Sequence, residues 1–275
     1  MIEILLPVYN GEKYLREQLD SIIAQTNQDW ILKIRNDGSI DNSQIIIDEY
    51  SSRFPDKIVI IPGNSQNLGL LTSLNLLLET ANKANYIMFA DQDDIWLPNK
   101  INISLSAVSE LEHKHRDQDI PIMICTDAIC VDQYLNIIHN SFHDSQKFLP
   151  NIIGNKYKML ALNQVQGCTI MVNKSAYNVI YPMPSCMKIH DMWIGVICAH
   201  YGIAKYIPQQ TLLYRQHSQN TLGGQNIGFK YYLSRIHSIP YLLTSRSKLF
   251  KKLPFKVSYL RWILTKMYYN IKRLL

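Results

Sequence analysis

No aspartate or glutamate occurs beyond Asp191, although the chain runs to residue 275. Residues 226–275 hold 11 Lys or Arg and no acid, which leaves 17 basic and 22 acidic side chains in residues 1–225, a net of −5. The overall charge of +6 is therefore a property of the tail. An anionic surface would meet the tail and not the body, and an acidic body argues against nucleic acid as partner. Cysteine is sparse too. Cys125, Cys130, Cys168, Cys186 and Cys198 are odd in number and lack CxxC or zinc-type spacing, which points to reduced, buried thiols in a cytosolic protein. Long apolar runs are missing. The longest, Met192 to Ala204, contains His200 and two glycines and is too short to span a bilayer, so it reads as a buried helix. Strand-type residues begin at Ile2, which leaves no room for a signal or transit peptide.

What is present is a concentration of acids. Tyr86-Ile87-Met88-Phe89-Ala90 is a strand-type run, and Asp91, Asp93 and Asp94 follow it within four positions before Pro98. Crowded carboxylates raise one another's pKa, so such a cluster at a strand end invites a shared cation. Oxygen ligands favour a hard ion, Mg2+ or Mn2+, completed by substrate phosphates. The plain alternative is an acidic turn or helix cap.

Upstream, strands and helices alternate. Ile2 to Leu6 is a strand buried on both faces, and Glu12 to Thr26 has the spacing of an amphipathic helix. Trp30 to Ile34 is a second strand, followed by a helix over Asn42 to Ser52 with Asp41 as cap. Lys57 to Pro62 is a third strand, and Asn67-Leu68-Gly69 opens a helix to about Ala84. Four alternations predict an α/β fold with a mostly parallel sheet and helices on both faces. Ligands of such sheets bind beyond the carboxyl ends of the strands, where the loops Pro7 to Gly11, Asn36 to Ser39, Asn67 to Gly69 and Asp91 to Asp94 all fall. Later, Ile122 to Thr126, Ala128 to Val131 and Ile137 to Phe142 read as strands, as do Lys205 to Pro208 and Thr211 to Tyr214. Gln164 to Val172 is strand-like with Gly167 inside it, a residue that admits a ligand or another backbone. Gly223-Gly224 reads as a hinge.

Four stretches together, LPVYNGEKYL, RNDGSIDNS, NLGLLTSLN and FADQDDIWLPNKI, resemble family 2 glycosyltransferases of the GT-A (Rossmann-like) fold. QGCTIMVN, HDMWIG and YRQHSQNTLGG resemble the continuation in bacterial rhamnosyltransferase-like members that build surface polysaccharides. The resemblance implies a GT-A domain over 1–225, with 1–100 the nucleotide-binding half and 101–225 the acceptor-binding half. It implies that Pro7, Val8 and Tyr9 line the base pocket with Glu12 nearby, that Asp37 accepts from the base N3–H, and that Asn67 and Gly69 sit beside the nucleotide. Asp91-Gln92-Asp93 stands in for the DxD motif, with Asp91 towards ribose or metal and Asp93 as metal ligand. Asp94 would act through water or towards the acceptor, and His217 would be a further metal or diphosphate ligand. Asp191 would be the general base. Asn36 stands where another acid is common, and Gln92 is a polar group between the two acids.

The implied reaction is inverting transfer of one sugar, L-rhamnose from dTDP-L-rhamnose, onto a lipid-linked glycan. A UDP-hexose donor, or a noncatalytic nucleotide- or membrane-binding partner role, are the rivals. A single base with no second carboxylate suited to a covalent intermediate favours direct displacement. Asp37-Gly38 and Asp41 are equally turn and cap residues, Asp191 an N-cap, and His217 a packed or exposed histidine.

In the tail, residues 226–275, Val257, Leu260, Leu264, Met267, Ile271 and Leu274 fall on one stripe of a helix. Arg261, Lys266, Lys272 and Arg273 flank it. A basic, aromatic-rich helix of this kind lies in an anionic membrane interface, placing the protein at the inner face of the cell membrane. The other reading packs the stripe on the body or on a second subunit, as in a homodimer.

Overall fold

In the computed structural model the described residues are 1–63, 66–187, 189–217 and 246–274. Strands β1 (Ile2–Val8), β2 (Trp30–Asn36), β3 (Ile58–Ile60) and β4 (Tyr86–Phe89) are parallel, in the order β3-β2-β1-β4. Helices α1 (Leu15–Ile23), α2 (Ser43–Arg53) and α3 (Leu70–Thr80) are the crossovers between them. The sheet continues through β8 (Ile170–Asn173), β6 (Ile122–Val131), β9 (Ile203–Arg215) and β5 (Ile95–Trp96). β8 runs antiparallel to both its neighbours, β6 and β9 pair in parallel, and β5 is antiparallel to β9. β7 (Ile137–His139) pairs with the end of β6. The parallel strands β1, β2, β4, β6 and β9 thus send their C-terminal ends to one edge.

Alternation of side chains across each strand divides the core in two. Ile4, Leu6, Val8, Met88 and Ile124 pack with α1, α2 and α4 (Lys100–Lys114). Leu5, Phe89, Met123 and Val172 face the other way, onto α3, α6 (Lys156–Ala161), α7 (Lys174–Ile180) and α8 (His190–Tyr201). α8 begins at His190, two residues before the apolar run, and is buried through Cys198. A four-residue helix, α5 (Phe142–Ser145), follows β7.

Several boundaries differ from the expectations. Ile122 to Val131 is one strand, not two, because the irregularity at Thr126 to Ile129 lies in its pairing with β9 and does not end it. β9 likewise runs unbroken through Pro208, which sits where the register with β6 shifts and no ladder N–H is required. Residues 167–169 form a short 3-10 turn, so β8 starts only at Ile170. Asn42 occupies the cap position of α2, while Asp41, one residue earlier, accepts from Ser43 N at 3.0 Å. β7 is three residues long, with Phe142, expected at the end of that strand, opening α5 instead, and the sequence pattern gives no sign of β5, α4, α6 or α7.

The tail contributes helix α9 (Tyr259–Leu274). Trp262 is buried in the body's core and its indole N–H donates to Leu160 O of α6 at 3.1 Å, with Ile263 and Tyr269 packed beside it. Of the expected stripe, Leu260, Leu264, Met267 and Ile271 are exposed, while Val257, just before α9, packs against the body's core. Among the described residues no helix is long and apolar enough to cross a membrane. The Gly223-Gly224 hinge lies outside the described residues.

Candidate active site

The site is built where β1, β2, β4 and β9 end. The loop after β1 is tied to the loop after β2: Asn10 N donates to Ser39 Oγ at 2.9 Å, Gly11 N to Ser43 Oγ at 2.8 Å and Glu12 N to Asp41 Oδ2 at 3.0 Å. In return Glu12 Oε2 accepts from Asn42 N at 2.9 Å. Tyr9 is the exposed side chain of this loop, whereas Val8 is fully buried and its carbonyl accepts from Asp37 N at 2.8 Å. Any contact of Val8 with a ligand is therefore through backbone.

Asp37 is buried and fully engaged. Its oxygens accept from Arg35 Nη1 at 2.6 Å, Leu68 N at 3.0 Å and Gly69 N at 2.8 Å. Burial alone would push its carboxyl up, but the Arg35 guanidinium and these N–H groups outweigh it and hold the pKa below the usual carboxylate range. Asn67 Oδ1 accepts from the same Gly69 N at 2.8 Å. Asp37 thus shapes the 67–69 loop, a task that spacing in the sequence does not disclose.

Beyond β4, Asp91, Asp94 and Cys168 bring one potential ligand atom each within 4.8 Å of the others. Burial, then the charge of Asp93, pushes Asp91 up to about 7. Asp94 is wholly buried, its Oδ2 has no hydrogen-bond partner, and burial with the charges of Asp93 and Asp91 holds its carboxyl well above the usual carboxylate range. Two such carboxyls cannot both be ionised unless a cation joins them. Asp93 Oδ2 faces His217 Nε2 at 2.9 Å, so two of the foreseen ligands, 124 positions apart, meet. Carboxylate oxygens suit a hard divalent ion, whereas imidazole is a borderline donor and the Cys168 thiol, driven up by burial, does not suit one. Among the described residues the group of three potential ligands is Asp91, Asp94 and Cys168, whereas Asp93 and His217 meet as a pair; Asp91 and Asp93 are oxygen donors of the kind Mg2+ or Mn2+ takes.

Asp191 stands apart, in the first turn of α8. Its Oδ1 accepts from Met192 N at 2.5 Å and from Asn163 Nδ2 at 2.9 Å. Burial raises it to about 7, and the charge of Asp91 adds to the rise. His190 beside it is driven down to about 4 by burial and is a neutral packing residue against Phe89, ring centroids 5.6 Å apart. Gly167 is needed for this ring: a Cβ there would lie 2.2 Å from His190 Nε2. The space at Gly167 admits a side chain, not the ligand or backbone expected.

Three residues without an assigned role complete the site. Gln92 pairs with the backbone of Tyr9, and a Cβ on Gly11 would meet its Oε1 at 2.7 Å. Lys100 is fully buried, with Nζ 3.2 Å from Thr211 Oγ1 and 4.9 Å from the Trp96 ring centre; burial lowers it to about 8. Arg215 closes β9 and reaches back to the acid loop.

The sequence model described as Glycosyl transferase family 2 matches residues 3–177. The chain belongs to glycosyl transferase family 2. A relative within reach of this family, the dTDP-rhamnosyl transferase RfbG of Shigella flexneri, is 27% identical over 242 residues, 82% of this chain and 75% of that protein. An uncharacterized glycosyltransferase of Rickettsia prowazekii is 27% identical over 70% of the chain, and the chain spans 57% of that relative's length. Among solved structures, the mannosyltransferase PcManGT of Pyrobaculum calidifontis, in complex with GDP-Man and Mn2+, superimposes with a TM-score of 0.61 at 16% identity. That match covers 99% of this chain and 71% of that one. S. aureus TarS 1–349 with UDP-GlcNAc gives 0.58 at 12% identity, over 99% and 72%. These likenesses show the GT-A fold.

Proposed function

We propose that the chain is an inverting glycosyltransferase that moves one sugar from a nucleoside diphosphate donor to an acceptor hydroxyl. The observation that carries this reading is a division of labour among carboxyls. Asp93 pairs with His217 next to the raised carboxyl of Asp91, a group that would hold a cation, while Asp191 is held by Asn163 and Met192 N and raised to about 7. A bound Mg2+ or Mn2+ would neutralise the charge that builds on the departing diphosphate without proton transfer. Asp191 takes the acceptor's proton, a role suited to a base whose pKa lies near the working pH. Asn163 Nδ2 and Met192 N donate to one carboxylate oxygen and so hold the orientation of the group. Pro7, Tyr9, Asp37, Asn67 and Gly69 form the nucleotide side, within a binding half over residues 1–100. Residues 101–225 form the acceptor half.

The donor proposed is dTDP-L-rhamnose, on the strength of the RfbG likeness. A UDP-hexose is the second reading, favoured by the UDP-GlcNAc complex of the TarS neighbour. The acceptor proposed is a lipid-linked glycan in surface polysaccharide synthesis. Leu260, Leu264, Met267 and Ile271 are exposed on α9 beside exposed Arg261 and Lys272, which supports peripheral attachment to an anionic inner membrane face.

The test is incubation with dTDP-, UDP- and GDP-sugars, Mg2+ or Mn2+, and lipid-linked glycan, reading the diphosphate released. Release of dTDP from dTDP-L-rhamnose is expected. Release of UDP alone selects the hexosyl reading, and release from no donor overturns the transferase reading.

A further inference from the structure

The cation ligands Asp93 and His217 come from loops far apart in sequence, and one buried side chain spans the junction. Arg215 is 2% exposed, two residues before His217. Its Nε donates to Asp93 O at 2.8 Å, and its backbone N–H donates to Asp94 Oδ1 at 3.1 Å. Nη1 donates to Gln133 O, in the turn between β6 and β7, at 3.1 Å. Nη2 is bonded to Glu17 of α1. The guanidinium carbon lies 4.4 Å from the centre of the Tyr14 ring, and that ring lies 4.9 Å from the imidazole of His217. Helix α1, the β6–β7 turn, the acid loop and the end of β9 thus converge on one planar group.

We propose that Arg215 is the positioning residue of the cation site, an inference that rests on the transferase reading above. A guanidinium has five donors in a fixed fork, so it can hold a carbonyl, a second carbonyl and a carboxylate in one plane, which an ammonium cannot. By gripping the Asp93 carbonyl it sets the direction of the Asp93 side chain. By ending β9 against Asp94 it sets where His217 emerges. Tyr14, lying between Arg215 and His217, passes the same constraint to the imidazole. Arg215 touches neither donor nor acceptor in this scheme. It determines whether Asp93 and His217 stand close enough to share an ion.

The test is Mn2+ binding in the presence of dTDP or UDP, followed by the loss of the free Mn2+ signal in electron paramagnetic resonance, well below each protein's melting temperature. Arg215→Lys keeps the charge and loses the fork, and it should weaken Mn2+ roughly tenfold to a hundredfold, the usual effect of removing a residue that orients a metal ligand. Glu17→Ala removes the half-exposed partner of Nη2, leaves the core intact, and should weaken Mn2+ in the same direction to a smaller extent. Wild-type Mn2+ affinity in folded Arg215→Lys, with only a lowered melting temperature, would overturn the inference. If that variant does not fold, wild-type affinity in Glu17→Ala overturns it. Absence of nucleotide-dependent Mn2+ binding in the unmodified protein would overturn the transferase reading itself, a result distinct from either.

Discussion

The side-chain amide of Gln92 makes both of its hydrogen bonds to the backbone of one residue, Tyr9: Oε1 accepts from Tyr9 N at 2.7 Å and Nε2 donates to Tyr9 O at 2.9 Å. The pairing fastens the loop after β1 to the acid loop after β4, so the proposed base pocket and the proposed cation site move as one. Gln92→Ala is expected to raise the dissociation constant for nucleotide in calorimetry by about tenfold to thirtyfold, two hydrogen bonds at about 1 kcal/mol each. Gly11→Ala, which drives a Cβ into Gln92, should act in the same direction.

Asp191→Asn should lower turnover by about 10²- to 10⁴-fold while metal-dependent nucleotide binding stays measurable. The free enzyme's acid limb tests the same group. Because burial holds the carboxyl near 7, the base is protonated and idle below that pH, so kcat/KM should rise as pH passes upward through about 7. The limb should vanish, with the remaining activity, in Asp191→Asn. Retained turnover would remove Asp191 from the chemistry.

Gly167→Ala places a methyl group 2.2 Å from the present position of His190 Nε2, and the ring has Phe89 on another side. Overpacking of this kind costs about 1–3 kcal/mol. The His190 ring must move, and any shift it passes to the start of α8 carries Asp191 with it. A lowered melting temperature together with a fall in kcat that exceeds any change in nucleotide affinity is the expected pattern.

Trp262→Ala should free α9 from α6, since it deletes the buried indole and its bond to Leu160 O. Truncation of a buried Trp costs about 3–5 kcal/mol, which leaves Ile263 and Tyr269 as the packed side chains of α9. Limited proteolysis should then cut between 246 and 274 while nucleotide affinity is kept. Leu264→Gln with Met267→Gln changes only exposed positions, so the melting temperature should stay put while binding to vesicles containing phosphatidylserine falls at least tenfold. Unchanged vesicle binding would rule out the stripe as the membrane contact.

The parts legible in the sequence were those with local causes. β1, β2 and β4 are apolar runs closed by loop residues, and the acids after Phe89 are contiguous, so both the alternating fold and the acid cluster stood out. Partnerships across long separations did not. Arg215 reaches Glu17 across 198 positions and Gln133 across 82, and no periodicity marks such a residue. Lys100, at the start of α4, is fully buried, and nothing in its sequence neighbourhood marks it as such. Asp37 read as a turn residue or a ligand for a base, because nothing nearby announces that Leu68 and Gly69 fold back onto it. The stripe on α9 is visible by its spacing, yet Trp262, Ile263 and Tyr269, off that stripe, pack on the body, because contact with α6 depends on where the tail meets the body.

β5 contains only Ile95 and Trp96, directly after the acid loop, and its ladder partners are Leu212 and Leu213 of β9. During synthesis on the ribosome the acids therefore emerge long before the strand that locks their exit. A nascent chain stopped short of residue 203 would hold Asp91, Asp93 and Asp94 through the Gln92–Tyr9 pairing but without Arg215 or His217, so the proposed cation site is completed late in translation.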